Sequence, residues 1–172
     1  MIKNLFECNK ENKVALALGY FDAIHLGHQS IFNTVIAIDS AIPSVFTFSN
    51  NIYKLLGREV KEIYSFEERC KLIESYGIKN IFYIDATIEI LAMSGREFLD
   101  MLLKHLDITF IASGADYTYG VFAENDTEDL KKYCKDFDID CSVKPLIMEN
   151  EQKQIYDFVI QAKNKNINWS KE

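Results

Sequence analysis

The chain has 172 residues, 48% hydrophobic and 26% charged, with a formal net charge of −7. That composition excludes a disordered chain, and the acidic balance excludes a general nucleic-acid binder, which carries a basic face. A small anionic ligand stays possible, because a local site can be positive on an acidic protein. No apolar run reaches membrane-spanning length, residues 1–7 carry no leader-like apolar stretch, and Cys8, Cys70, Cys134 and Cys141 form no Cys-x-x-Cys pair. These features predict a single cytoplasmic domain over 1–172 with free thiols and no membrane partner.

In chain order, Val14-Ala15-Leu16-Ala17-Leu18 reads as a buried strand, and residues 29–41 as a helix with Ile31, Phe32, Val35 and Ile36 on one face. Pro43 resets the chain before a β-branched and aromatic strand, Ser44-Val45-Phe46-Thr47-Phe48. The polar stretch 50–62 reads as a mobile connection. Ser65 with Glu68 forms a capping box for a helix over 66–76, and Gly77 is placed to end it. A third strand covers 80–85. Ser94 with Glu97 caps a helix carrying Phe98, Met101, Leu102 and His105. A fourth strand covers 109–113, a helix starts at Asp126 or Thr127, a fifth strand covers 141–146, and residues 154–164 read as helical. Strand–helix alternation with continuous apolar strands predicts an α/β fold: a Rossmann-like, doubly wound parallel sheet of about five strands, covered on both faces.

Ligands in such sheets sit beyond the carboxyl ends of the strands, at a topological switch point. Two loops occupy such ends, Gly19 to His28 and Gly114 to Gly120, and they hold four of the seven glycines. The first carries His25 and His28, two of the three histidines, at the start of a helix. A helix N-terminus favours anions, glycine permits close backbone approach, and imidazoles add donors, so the pattern predicts a phosphate site. A metal site and a purely structural pair are the competing readings; the spacing is not His-Glu-x-x-His, and no cysteine or third histidine lies nearby in sequence to complete a metal shell. Asp22 could orient a histidine or cap the turn. Tyr117 and Tyr119 could stack on a ring or fill core. His105 and Trp169 read as structural.

With both loops in view, the chain resembles the FMN adenylyltransferase domain of bacterial FAD synthetases, within the His-x-Gly-His nucleotidyltransferase superfamily. The family loop, close to Gly-x-Phe-Asp-Gly-x-His-x-Gly-His-Gln, is matched by Gly19, Phe21, Asp22, His25, Gly27, His28 and Gln29, with Ala23 in place of a glycine. Thr47-Phe48 matches the family's Thr-Phe strand end, and Gly114, Asp116, Tyr117, Tyr119 and Gly120 match its later glycine–aromatic loop. The resemblance implies attack of the FMN phosphate on the α-phosphorus of ATP, giving FAD and pyrophosphate, with Mg2+ shielding the triphosphate. It implies His25 and His28 as catalytic residues. Gly19, Tyr20, Phe21, Asp22, Gly27 and Thr47 would form the nucleotide site. Tyr117 and Tyr119 would face the flavin, and Asp116 matches a family position near the reacting phosphates and flavin; as an acid it could instead bind the metal, or simply cap its loop.

The chain also departs from the family. Ser49-Asn50-Asn51-Ile52 replaces Glu-Pro-His-Pro, and the riboflavin kinase domain that often follows is not in this sequence. The family's Ile-Ser-Ser-Thr-x-Ile-Arg segment is matched only by Ile155-Tyr156-Asp157-Phe158-Val159-Ile160-Gln161. Asp157 beside a triphosphate adds repulsion, and Gln161 lacks the fixed charge of arginine. Lys163, Lys165 and Lys171 read as a solvated face. Two alternatives therefore accompany the adenylyltransferase: a catalytically impaired nucleotide- or flavin-binding member, and a nucleotidyltransferase for another phosphorylated substrate.

Overall fold

A computed structural model describes residues 1–145. Its strands are β1 (Ile2–Asn4), β2 (Lys13–Leu18), β3 (Ile42–Phe48), β4 (Asn80–Ile84), β5 (Asp107–Gly114) and β6 (Asp140–Lys144). They form one sheet in the order β1-β4-β3-β2-β5-β6, and every pairing is parallel. The helices are α1 (Leu26–Ile36), α2 (Ile52–Leu55), α3 (Phe66–Ser75), α4 (Ile88–Leu91), α5 (Gly95–His105) and α6 (Thr127–Asp136). The doubly wound α/β expectation holds. The sheet has six strands among the described residues rather than about five, because Ile2–Asn4 adds an edge strand beside β4.

Side-chain alternation along β2 explains why both faces are covered. Val14, Leu16 and Leu18 enter one core with Phe98, Leu99 and Leu102 of α5 and Leu130 of α6. Ala15 and Ala17 enter the other with Ile31, Phe32 and Val35 of α1 and Cys70 and Ile73 of α3. The small alanines let α1 lie close to the sheet, while the large residues fill the wider gap on the opposite face. Helix ends are fixed locally. Ser65 with Glu68 and Ser94 with Glu97 form complete capping boxes, and Gly77, at φ +100, follows the last turn of α3.

β2 is the switch point. Its successor β3 lies on one side and β5 on the other, so the chain leaves the β2/β5 boundary in opposite directions. The loops after β2 and β5 therefore meet at the crevice where this fold places ligands. Residues 50–62 contain α2 and are tied at several points: Asn51 Nδ2 donates to the Val60 carbonyl at 2.8 Å, and Tyr20 Oη donates to Glu62.

Candidate active site

The loop after β2 is shaped by its own side chains. Phe21 and Ile24 take left-handed backbone conformations, at φ 55 and 46, and both are buried. Such conformations cost on the order of 1–3 kcal/mol each and persist only where packing holds them. The Phe21 ring lies so close beneath Gly19 that a Cβ there would stand 2.7 Å from it. A Cβ on Gly27 would likewise stand 2.9 Å from Cε1 of His25. Both glycines thus make room for neighbouring side chains of the loop. Ala23, where the family has glycine, is not among the left-handed residues, so a side chain is accommodated there.

His25 is the N-cap of α1, which therefore begins at Leu26, three residues before its sequence-predicted start. Its Nδ1 accepts the backbone N–H of His28 at 3.4 Å. In the neutral ring the proton is then on Nε2, which makes that nitrogen a donor. The two imidazoles stack at 3.8 Å between centroids, and Phe21 meets His28 edge-on at 5.1 Å. His28 is partly exposed as a residue, yet its Nδ1 is buried with no hydrogen-bond partner. Burial, with the neighbouring His25, holds its pKa down at about 3. Burial also lowers the pKa of His25, against a smaller upward pull from the Asp116 carboxylate. The pair is thus neutral near pH 7, and Asp116 is near enough to His25 to act on it.

The loop after β5 supplies that carboxylate. Asp116 is exposed and folds back so that its Oδ1 would stand 2.8 Å from a Cβ on Gly114. Tyr119 is buried against Phe98, and Tyr117 stacks on Tyr119 at 5.7 Å. Tyr119 is therefore core, with Tyr117 layered over it. Gly120, at φ +78, packs on Gly95 at the start of α5, where a Cβ would stand 2.6 Å from the Gly95 nitrogen.

Asp22, Thr47 and Tyr20, expected at the nucleotide site, also make bonds within the protein. The Asp22 carboxylate accepts the N–H groups of Ile63 at 3.0 Å and Tyr64 at 3.3 Å, which makes it an anchor for the strap before α3. The Thr47 hydroxyl is buried and donates to the Tyr20 carbonyl at 3.0 Å. Tyr20 Oη, whose proton goes to Glu62, also lies 3.2 Å from the Asn50 carbonyl. His105 lies at the opposite end of the sheet, where its Nδ1 is 3.3 Å from the Cys8 carbonyl and its ring meets Phe6. Residues 154–164, the Tyr156–Asp157–Phe158–Gln161 positions, Trp169 and Lys163, Lys165 and Lys171 lie outside the described residues. Arg69, fully buried behind this loop, escaped the sequence reading. Its signal was a charged residue on the same α3 face as Phe66 and Ile73, at helical spacing.

Comparison with known proteins accords with this geometry. The family model for FAD synthetase matches residues 7–156. The chain belongs to the FAD synthetase family. It is 27% identical over 151 residues to a FAD synthetase of Listeria monocytogenes, covering 84% of this chain and 61% of that protein. It is 30% identical over 121 residues to the bifunctional riboflavin kinase/FMN adenylyltransferase of Bacillus subtilis, covering 67% of this chain and 38% of the relative. A crystal structure described as a macrolide-efflux protein from Streptococcus pneumoniae superposes with TM-score 0.76 at 25% identity, over 88% of this chain and 53% of that one. This member of the FAD synthetase family thus spans less than two thirds of the length of these relatives. Among the described residues no helix is long and apolar enough to cross a membrane, and no group of three or more His, Cys, Asp or Glu could hold a metal ion.

Proposed function

We propose that this chain is an FMN adenylyltransferase, transferring AMP from ATP to FMN. The observation that carries the reading is the stacked His25–His28 pair at the N-terminus of α1, set at the β2/β5 switch point with Asp116 beside it. An FMN phosphate oxygen attacks the α-phosphorus of ATP. The bond from that phosphorus to the bridging oxygen breaks, and pyrophosphate leaves with the electron pair. The nucleophile needs no strong base, because a phosphate monoester has its second pKa near about 6. Catalysis then rests on positioning and on donors aimed at developing charge. His25 carries its proton on Nε2, and His28 stacks on it in a partly buried setting where each hydrogen bond is strengthened.

Magnesium fits this site as a companion of the triphosphate. It characteristically takes one or two carboxylates plus phosphate oxygens, and Asp116 supplies one exposed carboxylate. When bound it neutralises charge on the phosphates. The substrates are small molecules, and the free thiols of Cys8, Cys70, Cys134 and Cys141 suit a reducing cytoplasm.

The test is purified protein with ATP, magnesium and FMN, flavins separated by chromatography, beside His28→Ala. FAD from the parent and a loss of about 100-fold or more in the variant are expected for a lost charge-stabilising contact. FMN or ATP binding without FAD would instead favour an impaired binding member, the reading motivated by Asp157 and Gln161.

A further inference from the structure

Arg69 has no surface exposure, and a buried guanidinium costs several kcal/mol unless its surroundings repay it. Among the described residues no ion pair involves it. Its bonds go to the ends of two strands. Nη1 donates to the Tyr20 carbonyl and, at 3.2 Å, to Thr47 Oγ1, while Nη2 donates to the Phe48 carbonyl at 2.8 Å. The guanidinium carbon lies 4.5 Å over the Tyr20 ring and 5.6 Å from that of Phe66, both within cation–π range. Thr47 donates to the same Tyr20 carbonyl, so two donors hold the peptide that enters Phe21.

That peptide is where the loop turns. Phe21 is left-handed, packs under Gly19 and presents its edge to His28. The left-handed turn needs an outside restraint, and the two bonds to the Tyr20 carbonyl provide one. A planar fork reaching two strand ends at once is a task for arginine and not for lysine.

We propose that Arg69 is a positioning residue of the phosphate site: it clamps the Tyr20 carbonyl to the end of β3 and so holds Phe21 and, through it, His28. This rests on the nucleotide reading above, but it is testable without turnover. The variants are Arg69→Met, Arg69→Lys and Thr47→Ala, each checked for folding by circular dichroism. The first readout is the ring proton resonances of His28, which Phe21 and His25 displace by ring currents. The second is affinity for inorganic tripolyphosphate by calorimetry.

Arg69→Met is expected to move the His28 resonances toward free-histidine values and to weaken tripolyphosphate binding by about tenfold, within the range known for misplaced site groups. Arg69→Lys should fall between it and the parent. If Arg69→Met does not fold, Arg69→Lys and Thr47→Ala carry the same test, each with smaller shifts in the same direction. Folded variants with parental His28 resonances and parental tripolyphosphate affinity overturn the proposal. Failure of the parent to make FAD, with these shifts present, would remove the adenylyltransferase reading and leave the clamp standing.

Discussion

Acidification is expected to weaken the fold through His28, and the size of the effect follows from its surroundings. The folded pKa is about 3, against an unfolded value near 6.5. Below that unfolded value the unfolded chain binds a proton that the native site refuses. The stabilising contribution is therefore fully present above about pH 6.5 and is lost as pH falls toward the folded pKa. At about 1.4 kcal/mol per pH unit, moving from about pH 7 to about pH 5 costs roughly 2 kcal/mol. Partial exposure of the residue discounts this to about 1–2 kcal/mol. Other titrating groups respond too, so the measurement is a difference. Urea denaturation of the parent and of His28→Phe is followed at both pH values. Phenylalanine keeps a flat ring against Phe21 and cannot take up a proton. The parent should lose about 1–2 kcal/mol more than the variant over this interval. Equal losses in the two proteins would refute the argument that His28 is held neutral by burial.

Other substitutions probe the loop. Gly27→Ala places a Cβ 2.9 Å from the His25 ring and must displace it. The lost N-cap, about 1 kcal/mol, is offset by a similar gain in helix propensity, so stability should stay nearly constant while ATP affinity falls on calorimetric titration. A large loss of stability with unchanged ATP affinity would contradict this. Asp22→Ala removes the carboxylate that accepts the N–H groups of Ile63 and Tyr64, and a loss of about 2–3 kcal/mol by denaturation is expected. Phe32→Ala, in a fully buried site beside Phe21 and Tyr76, should cost about 3–5 kcal/mol.

Much of this fold was legible because its signals are local. Ser65 with Glu68 and Ser94 with Glu97 announce two helices that begin one residue later in the structure. The apolar runs of β2 and β3 announce buried parallel strands. β1 was not legible: three residues at a sheet edge carry no periodicity, and pairing with β4 is what makes Ile2–Asn4 a strand. The start of α1 was misplaced because its N-cap is a histidine, outside the usual Ser, Thr, Asp and Asn set. The histidine pair was legible from spacing, but its stacking and the buried Nδ1 depend on Phe21, whose left-handed turn no sequence pattern announces. Arg69 was illegible as part of the site because its partners are carbonyls and a hydroxyl at strand ends brought together only by the parallel sheet.

Transfer of the adenylyl group can be followed by isotope placement. ATP labelled at the α-phosphate is incubated with the protein, magnesium and FMN, in parallel with ATP labelled at the γ-phosphate, and flavins and phosphates are separated. Adenylyl transfer puts α-label in the flavin fraction and γ-label in pyrophosphate. Label absent from the flavin fraction while ATP and FMN both bind would rule adenylyl transfer out.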